Sequence, residues 1–429
     1  MQFNTLINFR QQVYESFRRA PDALFEVADA LLTDPAARTF AELSLSPRFT
    51  RRWPSLYAAL KDGQIERPDL RRTLAQFVPA PSAGQWLLLG LDGTAVARPE
   101  SPTAADRTYL YAHNLPHSTK PVTVGWQFSS LVVLPEPTSS WTYVLDTERI
   151  ASTTNAALVG ATQLQAVVPL LPAPACLVAD RHYGSATFIK HTAEIACAKL
   201  LRIPRNRVFY RPAPAHSGKR GAPKKDGTPF RCRDARSHGK PTCTWEGADE
   251  QGHKIEVAAW TPLHVKSCRA VTFTVIRVTR HGATGKKRDP RVSWFIWISA
   301  ALLPLAQVWP TYRRRYGHEH GLRFDKQDLL WMEPRVRTPE QFQRWTDLVG
   351  IVRDELVLAR PEVEALRQPW DSRTRAATPR QVRRTMSRIV GRLGTPVPPP
   401  RPRGKSPGRA RGTKFRRAPH YPVVYKGAP

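Results

Sequence analysis

The first part of the chain carries apolar residues at helical spacing. One helix face would hold Phe3, Leu6, Ile7, Val13, Tyr14 and Phe17. Pro21 and Pro68, each followed by Asp, are typical of further helix starts, and residues 53–60 predict another helix. A Pro- and Ala-rich segment at 79–84 ends this pattern. We therefore predict an N-terminal helical region over residues 1–80.

Short apolar runs then replace the helical spacing. They predict strands at 85–91, 122–134, 141–145, 175–179 and 199–203, with helices at 155–171 and 185–195 between them. The first run ends at Asp92 and the fourth at Asp180, and such runs are typical of strands that are buried on both faces. This order predicts an α/β fold with a mixed sheet.

A basic segment interrupts the α/β pattern after residue 204. Twelve basic residues and two acids lie between Arg202 and Lys240, together with many Pro and Gly. Residues 255–278 then alternate as antiparallel strands do, before a strand at 292–298 and a helix at about 305–320 resume the core pattern. We predict a basic, β-rich insertion at about 205–290 inside one domain at 81–330.

The C-terminal part is predicted to be helical and then disordered. Capping-box patterns with Pro at the first helical position begin at Thr338 and Thr378, which indicates a helical region over 331–394. Residues 395–429 contain nine basic residues, no acid, and repeated Pro and Gly. A segment of this composition cannot bury a core, so we expect a disordered basic tail.

The charge balance indicates a polyanionic partner. The chain has 66 Lys and Arg against 35 Asp and Glu, a formal net charge of +31. Nucleic acid is the first candidate, and an anionic membrane surface is the alternative. The longest apolar run, 293–309, is interrupted by Pro304 and Gln307 and is shorter than the ~20 residues of a spanning helix. With five cysteines and an N-terminus unlike a signal peptide, we expect a soluble cytoplasmic protein.

Two aspartates stand where predicted buried strands end. A carboxylate fixed at the end of such a strand suits a divalent metal site, so Asp92 and Asp180 are candidate metal ligands. The alternative for either residue alone is a turn-capping role, because Asp-Gly pairs are common in turns.

A third candidate acid lies in a spaced motif. The pattern is Tyr312-x2-Arg315-x3-Glu319-x6-Lys326. On a helix, the first three residues would share one face, with Glu319 available to a metal and Arg315 to a phosphate. Gly321 is expected to end that helix, which would leave Lys326 on a turn. The alternative is an exposed Arg–Glu pair without a catalytic role.

The motif and the two upstream aspartates resemble bacterial insertion-sequence transposases of the DDE class, which carry a YREK signature. This resemblance covers residues 80–330 and implies an RNase H-like core with a β insertion. It implies that Asp92, Asp180 and Glu319 are catalytic and hold two Mg²⁺ ions, or Mn²⁺ in their place. Such ions activate a nucleophile and stabilise the leaving oxygen.

The resemblance also implies the partners. Tyr312, Arg315 and Lys326 would contact DNA, and the substrate would be double-stranded DNA at transposon inverted repeats and at a target site. The resemblance further implies a homodimer that acts in a synaptic complex. It implies a location in the bacterial cytoplasm near the nucleoid, with no membrane partner. A tryptophan of the insertion would stack on a flipped base, and the candidates are Trp245, Trp260, Trp294 and Trp297. Core packing is the stronger interpretation for Trp294 and Trp297.

Other functions stay open at this point. One is a non-catalytic DNA-binding protein derived from a transposase, and another is an RNase H-like nuclease with a different nucleic-acid substrate. His182 is a weaker candidate for proton transfer. Cys232, His238 and Cys243 lack both CxxC spacing and an evident fourth ligand, so they do not indicate zinc.

Overall fold

The computed structural model describes residues 3–81, 85–111, 122–136, 140–215, 222–286, 289–301, 303–364, 376–399, 408, 410–414 and 417–425. The helices within these ranges are α1 (Asn4–Glu15), α2 (Pro21–Thr33), α3 (Pro54–Asp62), α4 (Arg67–Gln76), α5 (Ala156–Val167), α6 (Ala186–His191), α7 (Leu305–Arg313), α8 (Tyr316–Gln327), α9 (Pro339–Glu364) and α10 (Pro379–Leu393). No described helix has the length and apolar character needed to cross a membrane.

The strands form one large sheet and a small ribbon. The ribbon pairs β1 (Phe17–Arg19) with β2 (Gln64–Ile65). The described strands of the large sheet are β3 (Leu87–Ala97), β4 (Thr108–Tyr111), β5 (Val122–Val133), β6 (Tyr143–Ile150), β7 (Ala175–Ala179), β8 (Cys197–Ile203), β9 (Val208–Tyr210), β10 (Pro229–Arg231), β11 (Cys243–Ala248), β12 (Lys254–Val265), β13 (Cys268–Arg280) and β14 (Val292–Ile298).

The central part of the sheet has the RNase H-like arrangement. Its strands lie in the order β6, β5, β3, β7, β8. The pairs β3–β7 and β7–β8 are parallel, whereas β3–β5 and β5–β6 are antiparallel. Helix α5 provides the connection from β6 to β7 that a parallel neighbour requires. The predicted α/β, RNase H-like fold class is therefore confirmed.

The insertion extends this sheet. Strand β14 pairs with β8, and β13, β12, β9 and β10 follow outward, with β11 also on β12. Leu87, Leu89 and Leu91 face the cluster that the helical regions cover, and Leu88 faces the opposite cluster, as the period of two requires. The inserted strands therefore build onto the edge of the core instead of forming a separate sheet.

The N-terminal and C-terminal helices pack together as one body. Helices α1, α2 and α3 contact α9, α10 contacts α2 and α9, and α9 lies on β6. Arg10 of α1 donates to Asp29 of α2 and to Glu355 of α9, at 2.9 and 2.6 Å, and all three side chains are buried. Residues 1–80 thus share a core with residues 331–394, a consequence that helical spacing alone could not reveal.

Part of the predicted tail lies against the sheet. The backbone amides of Tyr421 and Val424 donate to Pro102 and Arg107, and Val424 bridges to Thr108 in parallel fashion. Composition predicted disorder here, but backbone hydrogen bonding to the segment beside β4 needs no apolar side chain. Residues 400–407, 409, 415–416 and 426–429 of that predicted tail lie outside the described residues.

The buried ion triad yields a stability prediction. Arg10→Met should lower the free energy of unfolding by about 3–5 kcal/mol, because it leaves Asp29 and Glu355 buried without their cation. Denaturant unfolding measures the change. Lys61→Met is the matched control, since Lys61 is exposed and pairs only loosely with Asp62. Equal decreases in the free energy of unfolding of the two variants would contradict the proposal that the buried triad of Arg10, Asp29 and Glu355 stabilises the fold.

Candidate active site

Strand pairing brings the two predicted aspartates side by side. Leu91 of β3 is in register with Ala179 of β7; Asp92 is the next residue on β3, and Asp180 is the first residue after β7. Asp92 was expected just beyond a strand, but β3 continues to Ala97 because residues 92–97 still pair with β5. Asp92 therefore lies where the parallel pairing ends, on backbone held from the other side by β5.

The third acid is on a helix that begins later than predicted. The expected helix at 305–320 is two helices, with α7 ending at Arg313 and α8 beginning at Tyr316. Glu319 lies in the first turn of α8, which is favourable for an acid because the helix dipole is positive there. Helix α8 contacts β3, the strand that carries Asp92.

Two glycines, Gly90 of β3 and Gly321 of α8, leave the space that the close packing of α8 against its neighbours requires. A Cβ atom on Gly90 would lie 3.2 Å from Nδ1 of His318. A Cβ atom on Gly321 would lie 1.9 Å from Nη2 of Arg353 and 2.4 Å from Oγ1 of Thr142. Gly321 was expected to end the helix, and that prediction is wrong: α8 continues through it to Gln327, and the glycine is needed for close packing.

The three acids line one cleft of about 460 Å³. Its lining is Asp92, Gly93, Thr94, Asp180, Arg315, Glu319, Leu322, Arg323, Lys326 and Gln327. Arg315 spans two of the acids, because Nη1 donates to Asp92 Oδ2 at 2.7 Å and Nη2 to Glu319 Oε1 at 2.6 Å. Asp180 Oδ1 accepts from the backbone amide of His182 at 2.9 Å. The cleft is therefore an acidic centre with basic residues on α8 and at its N-cap, Arg315.

Burial governs the charge of this centre. It raises the pKa of Asp92 to about 6, Arg315 opposes the shift, and the nearby Asp180 and Glu319 add to it. Burial acts to lower the pKa of Arg315, but Asp92 and Glu319 outweigh it, so the pKa lies above its ordinary value. One guanidinium thus compensates carboxylates that would otherwise repel one another.

Lys326 lies on α8 and not on the predicted turn. Its ammonium donates to Thr94 Oγ1 at 2.7 Å and to the carbonyl of Ala95 at 3.0 Å. Burial lowers its pKa, and Asp325 partly offsets that effect. Lys326 therefore fastens α8 to β3 while it also lines the cleft.

Tyr312 is the motif residue that the cleft does not include. Its ring packs on Phe295 with centroids 4.8 Å apart, and its hydroxyl is buried without a hydrogen-bond partner. The guanidinium of Arg315 lies 5.8 Å from the centre of the Tyr312 ring. The structure thus brings Arg315, Glu319 and Lys326 together with the aspartates and places Tyr312 behind Arg315.

Some lining residues were missed by the sequence patterns. Arg323 follows Glu319 by one helical turn, is exposed, and has no hydrogen-bond or ion-pair partner among the described residues. Thr94 follows Asp92 by two residues and so faces the same side of β3. The four-residue spacing between Glu319 and Arg323 could have identified Arg323 from the sequence. Thr94 could not be identified in this way, because its position depends on β3 continuing past Asp92.

The acids suit a hard divalent cation by type, since carboxylate oxygens are the ligands that Mg²⁺ prefers. Among the described residues, no three acidic, His or Cys side chains converge closely enough to hold an ion. Arg315 supplies the positive charge between Asp92 and Glu319 in this arrangement. Binding of an ion would therefore require Arg315 to release at least one carboxylate.

The remaining candidates lie outside the cleft lining. Trp260 and Trp294 are buried, with ring centroids 6.0 Å apart, and Trp297 is buried with its indole nitrogen donating to Ala301. Trp245 is partly buried on β11. His182 is largely exposed, with Nε2 3.9 Å from Asp180 Oδ2.

Comparison with known proteins adds a family match. The model of a family described as DDE superfamily endonuclease matches residues 8–264, a span that includes Asp92 and Asp180 and ends before Glu319. No curated protein matches the chain. A cryo-EM structure of a piggyBac transposase synaptic complex with hairpin DNA is similar, with 10% identity and a TM-score of 0.44, covering 96% of this chain and 85% of the other. Likeness at that level supports no argument.

The close packing of α8 against Arg353 and Thr142 yields a second prediction. Gly321→Ala should lower the free energy of unfolding by about 1–3 kcal/mol through overpacking. Arg353 cannot swing aside freely, because it is buried and donates to Asp325 and to the carbonyl of Thr142.

The control for this prediction is Gly391→Ala in α10. There the new methyl group meets only the flexible end of Arg48, so a gain of up to about 1 kcal/mol in helix propensity is expected. Unfolding in denaturant measures both variants. If Gly321→Ala were as stable as Gly391→Ala, the close packing of α8 would not hold.

Proposed function

The chain belongs to the family of DDE superfamily endonucleases, and from this premise we propose that it is a DNA transposase. In this proposal it cleaves DNA at transposon ends and joins those ends to target DNA. The observation that carries it is the single cleft lined by Asp92, Asp180 and Glu319. Its resemblance to bacterial insertion-sequence enzymes, through the motif from Tyr312 to Lys326, is part of the proposal.

Asp92, Asp180 and Glu319 would hold the divalent metal, Mg²⁺ or Mn²⁺, when it is bound. A bound ion of this kind activates a hydroxyl nucleophile and stabilises the leaving oxygen of a phosphodiester. The protein's own part is positional: β3 and β7 fix the two aspartates, and α8 presents the glutamate. Burial raises the pKa of Asp92 to about 6, and a bound cation would lower it again by favouring the carboxylate.

The basic residues of α8 would hold the DNA strand. Arg323 is exposed on the cleft wall, and Lys326 and Arg315 lie deeper. When Arg315 releases an acid, its guanidinium is within reach of a phosphate beside the scissile bond and can bind it in bidentate fashion. Tyr312 would act on DNA indirectly, by supporting Arg315 from behind.

Double-stranded DNA is the proposed partner, in keeping with the net charge of +31. The N-terminal helices would contact the element end, and the basic insertion would contact DNA near the scissile phosphate. Paired cleavage of two ends would require a homodimer, and the proposed location is the bacterial cytoplasm at the nucleoid. Point substitutions test the N-terminal contact better than deletion, because residues 1–80 share their core with α9 and α10.

Two alternatives make different predictions. A non-catalytic DNA-binding protein would bind DNA but not cleave it, and a nuclease with another substrate would not favour inverted repeats. The presence of three carboxylates in one cleft favours catalysis, since simple DNA binding is weakened by negative charge facing a phosphate.

The function is tested by removing each carboxylate separately. Asp92→Asn, Asp180→Asn and Glu319→Gln should each reduce Mg²⁺-dependent cleavage to background, because each substitution removes a metal ligand. Affinity for DNA should change little. Gel analysis of labelled DNA carrying the gene's flanking inverted repeats measures cleavage and strand transfer, and an unrelated DNA and an RNA duplex test the substrate.

The control is Asp62→Asn, which changes an exposed acid on α3. Full cleavage by Glu319→Gln would remove the glutamate from the proposed site, and preference for the unrelated DNA or the RNA would favour the nuclease alternative. Binding without any cleavage by the unaltered chain would favour the non-catalytic alternative.

Arg315 allows a test that does not depend on activity. Without metal, Arg315→Ala should melt at a lower temperature than the unaltered chain, because Asp92 and Glu319 lose their shared cation. Mg²⁺ should then raise the melting temperature of Arg315→Ala more than that of the unaltered chain, since the ion no longer competes with the guanidinium. Thermal unfolding with and without Mg²⁺ measures both effects.

Arg313→Ala is the matched control, because Arg313 is exposed and pairs with Glu250 outside the cleft. An equal Mg²⁺ shift in Arg315→Ala and in the unaltered chain would mean that Arg315 and the ion do not share the carboxylates.

A further inference from the structure

Helix α10 has two sharply different faces. Val382, Met386, Ile389 and Val390 are buried in the helical body. Arg383, also on this side, donates to the carbonyls of Leu31, Asp34 and Asp328. The apolar face thus accounts for the attachment of α10 to α2 and α9, and the opposite face needs another explanation.

The exposed face of α10 carries a row of arginines. Arg380, Arg384, Arg388 and Arg392 are spaced four residues apart, so that they follow one another at about 6 Å along the helix. Helix α10 contains no acidic residue. Arg384 and Arg388 are exposed and have no hydrogen-bond or ion-pair partner in the described part of the chain. Like charges at this spacing destabilise a helix unless anions lie close to them.

The row begins beside the acidic cleft. Arg380 donates from Nε and Nη2 to the two carboxylate oxygens of Asp328, at 2.7 and 2.8 Å. Asp328 directly follows Gln327, the last residue of α8 and part of the cleft lining. The first arginine of the row therefore lies next to the C-terminal end of α8, along which Arg323 and Lys326 already provide positive charge.

A further arginine widens the row at its far end. Arg48, from the loop before α3, donates to the carbonyl of Ser387 at 3.4 Å. Its guanidinium also lies close to Gly391. The surface defined by Arg48, Arg384, Arg388 and Arg392 is thus assembled from two distant parts of the sequence, and no single basic run in the chain announces it.

We propose that this arginine row binds the phosphate backbone of the DNA duplex that extends away from the cleft. The inference rests on the proposed function and adds a contact surface to it. A duplex presents phosphates at regular intervals along its groove edges, and arginine binds phosphate with more than one donor. Backbone contacts of this kind position DNA and carry no sequence preference.

The test measures how DNA affinity depends on salt. Arg384→Gln and Arg388→Gln are compared, singly and together, in the full chain with the cleavage-blocking Asp92→Asn substitution. The probe is a short labelled duplex of arbitrary sequence, titrated over a range of salt concentrations. Each arginine that contacts a phosphate should lower the slope of log affinity against log salt by about 0.9.

Lys190→Gln is the one-charge control. Lys190 is exposed on α6, beside Ala175 at the start of β7, and so lies at the other end of that strand from Asp180. The arginine and lysine substitutions should not lower the melting temperature of the Asp92→Asn chain, because these side chains are exposed. A reduced slope for the α10 variants and not for Lys190→Gln supports the proposal.

Slopes for Arg384→Gln and Arg388→Gln equal to that of Lys190→Gln would overturn the arginine row while leaving the transposase proposal intact. Intact DNA binding combined with weaker binding to vesicles of phosphatidylserine would also overturn it, and would assign the row to a membrane surface. If the chain with Asp92→Asn alone bound no DNA, both the row and the proposed function would fail.

Discussion

The parallel pairing of β3 with β7 is the constraint on which the site depends. Their register places Asp92 and Asp180 at corresponding positions on neighbouring strands. Strand β7 is fully buried, and the part of β3 before Asp92 is buried too, so a slip of either strand by one residue would exchange the side chains that pack into the two apolar clusters on opposite faces of the sheet. The core thereby determines the separation of the two carboxylates.

Such a placement has an electrostatic consequence. Two acids fixed side by side at a buried strand end repel each other and lose hydration, which is why the pKa of Asp92 rises to about 6. Arg315 relieves this while it also holds Glu319. The chain therefore folds with part of the negative charge of this acidic centre compensated by its own arginine.

The sequence predicted those parts of the fold that depend on local pattern. Uninterrupted apolar runs identified β3 and β7 and the acids after them, because strands buried on both faces leave that signature. Spacing also identified Glu319. The spacing wrongly predicted that Gly321 ends the helix and that Lys326 lies on a turn. A glycine is needed at 321 because Arg353 and Thr142, from distant parts of the chain, pack against α8 there. The contact of residues 417–425 with the sheet was also missed, because its hydrogen bonds, from backbone amides and from the side chains of Arg107 and Tyr109, join parts of the chain that are far apart in sequence.

The position of Glu319 depends on the helical body as much as on the sheet. Arg353 of α9 donates to Asp325 of α8. Lys326, the next residue of α8, donates to Thr94 and Ala95 of β3. Helix α8 is thus held between α9 and the strand that carries Asp92. Because α9 is in turn joined to α1 and α2 through Arg10, the first residues of the chain help to place the third carboxylate. A helical region that would suit a separable DNA-binding module is therefore also part of the framework of the candidate active site.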